Sequence, residues 1–142
     1  MPQSYANHTR WFVPYHFIVS PILTVNFGLA VYDAIRRPGA WSIWGAIVAF
    51  AILGGIGLAR VMALTVQDRV IRLEETLRLQ RLLPAEQHGE IAQLSRKEFI
   101  ALRFASDAEL PALFRRVRNG EFADAKAIKQ AITQWRPDYL RA

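Results

Sequence analysis

Two apolar stretches, Trp11 to Ile35 and Trp41 to Leu64, fill the first half of this chain and are separated only by Arg36-Arg37-Pro38-Gly39-Ala40. Each is long enough to cross a bilayer, since about 20 apolar residues at about 1.5 Å rise span a hydrocarbon core of roughly 30 Å. So short a connection requires the two helices to run antiparallel. The expected fold is therefore all-α: a two-span transmembrane helical hairpin (residues 1–64, spans 11–35 and 41–64), whose second span continues into a long cytoplasmic helix. That rod (65–83) is followed by a small bundle of short helices (84–142).

Charge is distributed as this division requires. Of 18 Lys and Arg, only Arg10, Arg36, Arg37 and Arg60 precede Thr65, and of 12 Asp and Glu only Asp33 does. The remaining 14 basic and 11 acidic residues lie beyond it, an excess of about three positive charges. Mixed charge of this density is a solvated, ion-paired surface rather than a nucleic-acid footprint, despite an isoelectric point near 10.3. With no cysteine in the chain, disulfides and thiolate chemistry are excluded. The first apolar stretch is too long for the core of a signal peptide and is not followed by a small-residue cleavage site, so it is expected to be retained.

Flanking cations give the orientation. Arg69, Arg72, Arg78 and Arg81 follow the second span closely, with Arg60 just inside it and Arg10 ahead of the first, against Arg36 and Arg37 in the connection. This bias places both termini in the cytoplasm. Asp33 is positioned to pair with one of the loop arginines. Aromatic residues mark the two interfaces, Trp11, Phe12 and Tyr15 on one side and Tyr32, Trp41 and Trp44 on the other. Ala51, Gly55, Ala59 and Ala63 recur every four residues, and Ser20, Thr24 and Gly28 form a matching stripe on the first span. Small residues in such a stripe allow close helix approach, either within the hairpin or between copies. Pro14 and Pro21 loosen the first span, freeing carbonyls for Ser20, His16 or a neighbouring helix. Asn26 is the one polar side chain near the bilayer centre.

No glycine or proline interrupts the chain between Gly57 and Pro84, so the second span is expected to extend as one rod of about 43 residues, roughly 65 Å long. Along it Ala63, Val66, Val70, Leu73, Leu77 and Gln80 follow the three-four spacing of a coiled-coil seam. Ile71, Leu79, Leu82 and Leu83 widen the apolar face, which equally fits packing against the chain's own C-terminal segment. Asp68 with Arg72, and Glu74 with Arg78, are acid-first pairs four residues apart on the exposed faces. Beyond Pro84 come a weak helical turn over 85–94 and a capping box from Ser95 to Glu98 opening a helix with Phe99, Ile100, Leu102 and Phe104. A second box, Ser106 to Glu109, with Asp107 as an alternative cap, opens a helix closed by Asn119-Gly120. Asp124 caps the last helix, expected to carry Ile128, Ile132 and Trp135 on one face until Pro137 stops it.

The residues offer no catalytic constellation. His8, His16 and His88 are scattered, which disfavours a zinc site. Gly54-Gly55-x-Gly57 lies inside a span rather than in a phosphate-binding loop. No cofactor, metal or small-molecule substrate is indicated.

Three segments taken together carry a resemblance: VQDRVIRLEE (66–75), LRFASDAELP (102–111) and IKQAITQWRPDY (128–139). In this order after a two-span hairpin they resemble a domain-of-unknown-function family of small bacterial membrane proteins. The resemblance implies bacterial origin and residence in the inner membrane, and it implies no activity. Gln67, Asp68, Arg69, Arg72 and Glu75, just beyond the membrane surface, and Arg103, Ser106, Asp107 and Glu109 in the middle segment, form the candidate interaction surface. They are read either as an intramolecular docking network or as a partner-binding face. The expected role is a non-enzymatic inner-membrane protein that anchors a cytoplasmic helical module for self-association or docking to a larger membrane assembly. Its partners would be the bilayer, itself or another membrane protein. A small homo-oligomeric channel or transporter component, with Asn26 lining the path, is the alternative.

Overall fold

The computed structural model describes residues 4, 5 and 11–139, so His8 and Arg10 lie outside the described residues. The regular elements among these residues are all helical, with no strand, and the described residues divide into two compact units, 11–64 and 65–139.

In the first unit a π-helical turn, Pro14–Val19, leads directly into α1, Ser20–Arg36. Its wider register has a local cause. In an α-helix the Pro21 ring would meet the carbonyl of Phe17, and the expanded turn relieves that clash. The Ser20 amide donates to Tyr15 O, five residues back. Polar side chains then serve nearby carbonyls: His16 Nδ1 donates to Phe12 O at 3.0 Å, and Thr24 Oγ1 to Ser20 O at 2.8 Å. As expected, Asp33 pairs within the connection, with Arg37 Nε at 3.7 Å.

Helix α2 is Ala40–Leu82, 43 residues without interruption. Within the first unit it meets α1 through the Phe27 and Phe50 rings, 5.8 Å apart, and the preceding π-helical turn through Arg60, whose guanidinium lies 5.5 Å from the Tyr15 ring. In this unit Ala49 is buried, and Ala46, Val48, Leu53, Ile56, Gly57 and Arg60 are among its half-buried positions. The small-residue stripe lies elsewhere. Ala51, Gly55, Ala59 and Ala63 are all exposed, as are Thr24 and Gly28, while Ser20 is half-buried. A methyl group added at Gly28 or Gly55 would meet nothing within 4 Å. Within one chain, then, these stripes lie on uncovered faces of the two spans. The covered face of α2 in this unit centres on Ala49, with the Phe27 and Phe50 rings touching beside it. Asn26 is exposed as well.

In the second unit a 3₁₀ turn, Ala85–Gln87, and α3, His88–Ile91, follow Pro84. Helix α4, Arg96–Leu102, opens with the expected capping box. Ser95 N donates to Glu98 Oε2 at 2.6 Å, and Glu98 N donates to Ser95 Oγ at 3.3 Å. Helix α5, Leu110–Arg118, starts later than the sequence implied, at Pro111 in its first turn, and buries Leu110, Leu113, Phe114 and Val117. It ends in a Schellman turn. Gly120 takes φ +73°, its amide donates to Val117 O, and the Glu121 amide reaches back to Arg116 O. Helix α6, Ala125–Gln130, is capped by Asp124, which accepts from Ala127 N at 2.8 Å.

The core of this unit joins Leu79 of α2 and Leu83 just beyond it to Phe99, Leu102, Leu110, Phe114 and their neighbours. So few large apolar residues would make a marginal domain alone. The end of α2 supplies part of the core, and the widened apolar face at Ile71, Leu79 and Leu83 is the face that is buried. The three-four stripe is not covered: Val66, Val70, Leu73 and Leu77 remain largely exposed.

Replacing Gly120 by Ala is expected to lower the stability of this unit by about 1–2 kcal/mol, because a Cβ disfavours the left-handed backbone. Gly89→Ala, in helical backbone with open space around it, should leave stability unchanged or slightly raised. Pulse proteolysis of the full chain in detergent would read both.

Candidate functional site

Three parts of the chain far apart in sequence converge on Arg78. It stands one helical turn after Glu75 on the buried face of α2, and its side chain is 6% exposed. A guanidinium carries five N–H donors in a fixed fork and is costly to bury unless they are used. Here Nε donates to Asp107 Oδ1 at 2.6 Å and Nη1 to Glu75 Oε2 at 2.9 Å. Nη2 donates to Ala105 O at 2.6 Å, and the Arg103 carbonyl lies 3.5 Å from Nη1. Those carbonyls point inward because α4 stops at Leu102 and the chain turns through Arg103–Asp107, leaving its backbone acceptors without helical donors.

Glu75, equally buried, divides its carboxylate between two cations, Oε2 to Arg78 and Oε1 to Arg136 Nη1 at 3.2 Å. Arg136 belongs to the third segment, which corrects the expected last helix. That helix ends at Gln130. Glu109 captures the amides of Thr133 and Gln134, both at 2.9 Å, along with the Thr133 hydroxyl at 3.1 Å. Denied those donors, the helix gives way to an extended strand-like stretch. Ser106 N then donates to Gln134 O at 3.0 Å and Arg136 N to Phe104 O at 2.6 Å, an antiparallel bridge between Ala105 and Trp135. Trp135 leaves the predicted helical face and stacks on the buried Phe104, ring centroids 4.6 Å apart and 18° from parallel. Arg103 lies over the Phe104 ring at 4.5 Å and pairs with Asp138 at 3.3 Å. A cleft of about 580 Å³ borders the network, with Gln67, Glu74, Glu75, Arg78, Arg136 and Tyr139 on its walls.

Of the candidate residues named from the sequence, Glu75, Arg103 and Asp107 meet here. Ser106 and Glu109 flank them by holding 133–134, with Ser106 Oγ also bonded to Gln134 Oε1. Gln67 lines the cleft. Asp68 and Arg72 go instead to α4: Asp68 pairs with Arg96 at 3.4 Å and Arg72 lies over the Phe99 ring at 5.7 Å. The expected exposed pairs Asp68–Arg72 and Glu74–Arg78 therefore do not form, because partners more distant in sequence take Asp68, Arg72 and Arg78. Arg69 and Glu74 are exposed and make no ion pair among the described residues. Asp107 serves as an acceptor for Arg78 rather than as a helix cap. Arg78, Arg136, Asp138, Phe104 and Trp135 were missing from the candidate surface. For Arg78 the signal was present in its spacing, since a residue four after Glu74 is also three after Glu75.

The Arg78 hydrogen bond holds the Asp107 carboxyl below its ordinary range, against partial desolvation and with added attraction from Arg78, Arg81 and Arg136. Glu75 and Asp107 are both held by arginine, an arrangement suited to joining segments rather than to moving protons. No group of three or more His, Cys, Asp or Glu among the described residues is placed to hold a metal ion.

Arg78→Met should destabilise the second unit by about 3–5 kcal/mol, since it leaves Glu75 buried with half its compensation. Arg78→Lys should recover little, because an ammonium cannot span two carboxylates and two carbonyls. Asp107→Asn should cost far less, about 1 kcal/mol or under, its side chain being 54% exposed. Folding lowers the Asp107 pKa, so its contribution is complete above the unfolded value of about 4 and lost as pH falls through the folded value. Stability measured from pH 6 to pH 3 should fall less steeply in Asp107→Asn than in the wild type.

Comparison with known proteins finds no match among curated proteins and none among solved structures. Residues 1–142 match the family of unknown function DUF6526, so the likeness covers the whole chain. The chain belongs to the DUF6526 family.

Proposed function

We propose that this chain is a non-enzymatic protein of the bacterial inner membrane, whose two-span hairpin anchors a cytoplasmic helical module for self-association or docking onto a larger membrane assembly. One observation carries the membrane reading. Two helical segments long and apolar enough to span a bilayer, Pro14–Arg36 and Ala40–Leu82, have apolar windows only 0% and 6% buried. A core helix of a soluble protein would be covered by its own chain; these present Ile22, Leu29, Ile35, Leu58 and Met62 to their surroundings. The Phe27–Phe50 and Tyr15–Arg60 contacts fit a hairpin, in which early residues of one helix meet late residues of the other. Arg60 extending over Tyr15 suits a cation drawn toward an interface.

The non-enzymatic reading is supported by the chemistry of the buried network, where the carboxylates are committed to guanidinium groups. An interaction role is supported by what the module leaves uncovered on α2, since it covers one face of the 65–82 segment only.

The chain has no cysteine, so single replacements report location without background. In intact cells Gly39→Cys, in the connection, should react with a membrane-impermeant thiol reagent, whereas Ala92→Cys should react only after permeabilisation. The reverse pattern would overturn the orientation. Release of the wild-type chain from membranes by alkaline carbonate would overturn the integral anchor.

A further inference from the structure

We infer that the segment Val66–Gln80 of α2 pairs with the same segment of a second copy as a parallel, in-register two-stranded coiled coil. This rests on the self-association reading above and names its partner and surface. Val66, Val70, Leu73 and Leu77 lie 48–61% exposed on one stripe with the three-four spacing of a heptad. The module occupies the roughly opposite side of the helix through Ile71, Glu75, Arg78 and Leu79. In heptad terms Val70 and Leu77 take position a, and Val66, Leu73 and Gln80 position d. The Val70–Leu73 step has the β-branched a and leucine d that favour two strands.

Charge complementarity selects a second copy as the occupant. In this register Arg69 falls at g and Glu74 at the following e. In a parallel dimer those positions face each other across the seam, so Arg69 of one copy meets Glu74 of the other, twice by symmetry. Both side chains are exposed, and neither makes an ion pair among the described residues. Glu74 is released for this purpose by the network itself, which draws Arg78 to Glu75 and Asp107. Glu74, Val70 and Leu77 also line the cleft, so the approach beside the stripe is open where a second helix would lie. The next g–e combination, Thr76 with Arg81, is free of like-charge repulsion. Two copies inserted in one membrane with the same orientation present these segments parallel. Confinement to the bilayer also raises their effective concentration, which lets a seam of about two heptads suffice.

Disulfide trapping in native membranes tests this, using full-length chains with one cysteine each. Cross-linking requires Cα atoms within about 7 Å, which an in-register parallel seam supplies at every core position. Val66→Cys, Val70→Cys, Leu73→Cys and Leu77→Cys should form disulfide dimers under mild oxidation, and Arg72→Cys on the far side should not. Arg69→Glu or Glu74→Arg should weaken dimerisation in nanodiscs about tenfold, and the double exchange should restore it. Each of these residues is exposed, so folding is preserved. A dimer that cross-links at none of the four core positions, or a charge exchange without rescue, overturns the coiled coil while leaving self-association through another face intact. A chain that stays monomeric in nanodiscs and cross-links nowhere overturns both.

Discussion

The second unit depends on a buried guanidinium. Arg78 receives two carboxylates and two carbonyls from residues 25 to 29 positions away or one helical turn back, and each of those groups lies where it does because Arg78 is there. An apolar side chain at this position would satisfy none of the carbonyls left pointing inward by the early end of α4. Burying such an ion is seldom a net source of stability, since the desolvation of the charges offsets most of their attraction. What it supplies is selection. Of the ways this small core could sit against α2, only one brings Asp107, the 103–105 carbonyls and, through Glu75, Arg136 to the same few ångströms.

That selection extends to the apolar part of the core. The turn fixed by Arg78 places Phe104 where Trp135 can stack on it, and the bridge between Ala105 and Trp135 holds the C-terminal segment in line. Glu109 works on the same strand from its other end by taking the amides of Thr133 and Gln134. Polar and aromatic contacts thus close a core whose aliphatic content alone is small for a module of this size. The large cluster around Phe99, Phe114 and Leu79 supplies the apolar burial, and the ion network sets its register on α2.

Much of this architecture was legible in the chain itself, for reasons that can be named. The length of α2 follows from an uninterrupted run between Gly57 and Pro84, and the starts of α4 and α6 follow from Ser95 with Glu98 and from Asp124, all local signals. The convergence of the three segments was legible only as a resemblance. The particular partners were not, because an arginine three residues from one acid and four from another carries no local preference strong enough to choose. Tertiary acceptors decided for Arg78, and equally for Arg72 and Asp68, which turned to α4. Trp135 was misplaced for a related reason. Its spacing from Ile128 and Ile132 is helical, yet the Thr133 and Gln134 amides were taken by the Glu109 carboxylate, 24 and 25 residues upstream in sequence. The small-residue stripe is a weaker guide, since glycine and alanine permit close approach without requiring it, and within one chain the covered face of α2 falls on Ala49 and its neighbours.

The exposed stripe on α2 follows from the same commitment of Arg78. Had Arg78 paired with Glu74 along the surface, as the spacing alone would have it, Glu74 would be neutralised within its own chain and the flank of the stripe would be electrostatically complete. By turning inward, Arg78 leaves an acid at 74 and a base at 69 beside a row of largely exposed valines and leucines. Interior and surface of this helix are therefore coupled through one side chain. A substitution at Arg78 acts on both, loosening the module on one side and freeing or rearranging the charge pattern on the other. Substitutions at Arg69 and Glu74 act on the outer face alone, which makes the two faces of α2 separable by mutation although they occupy the same four turns.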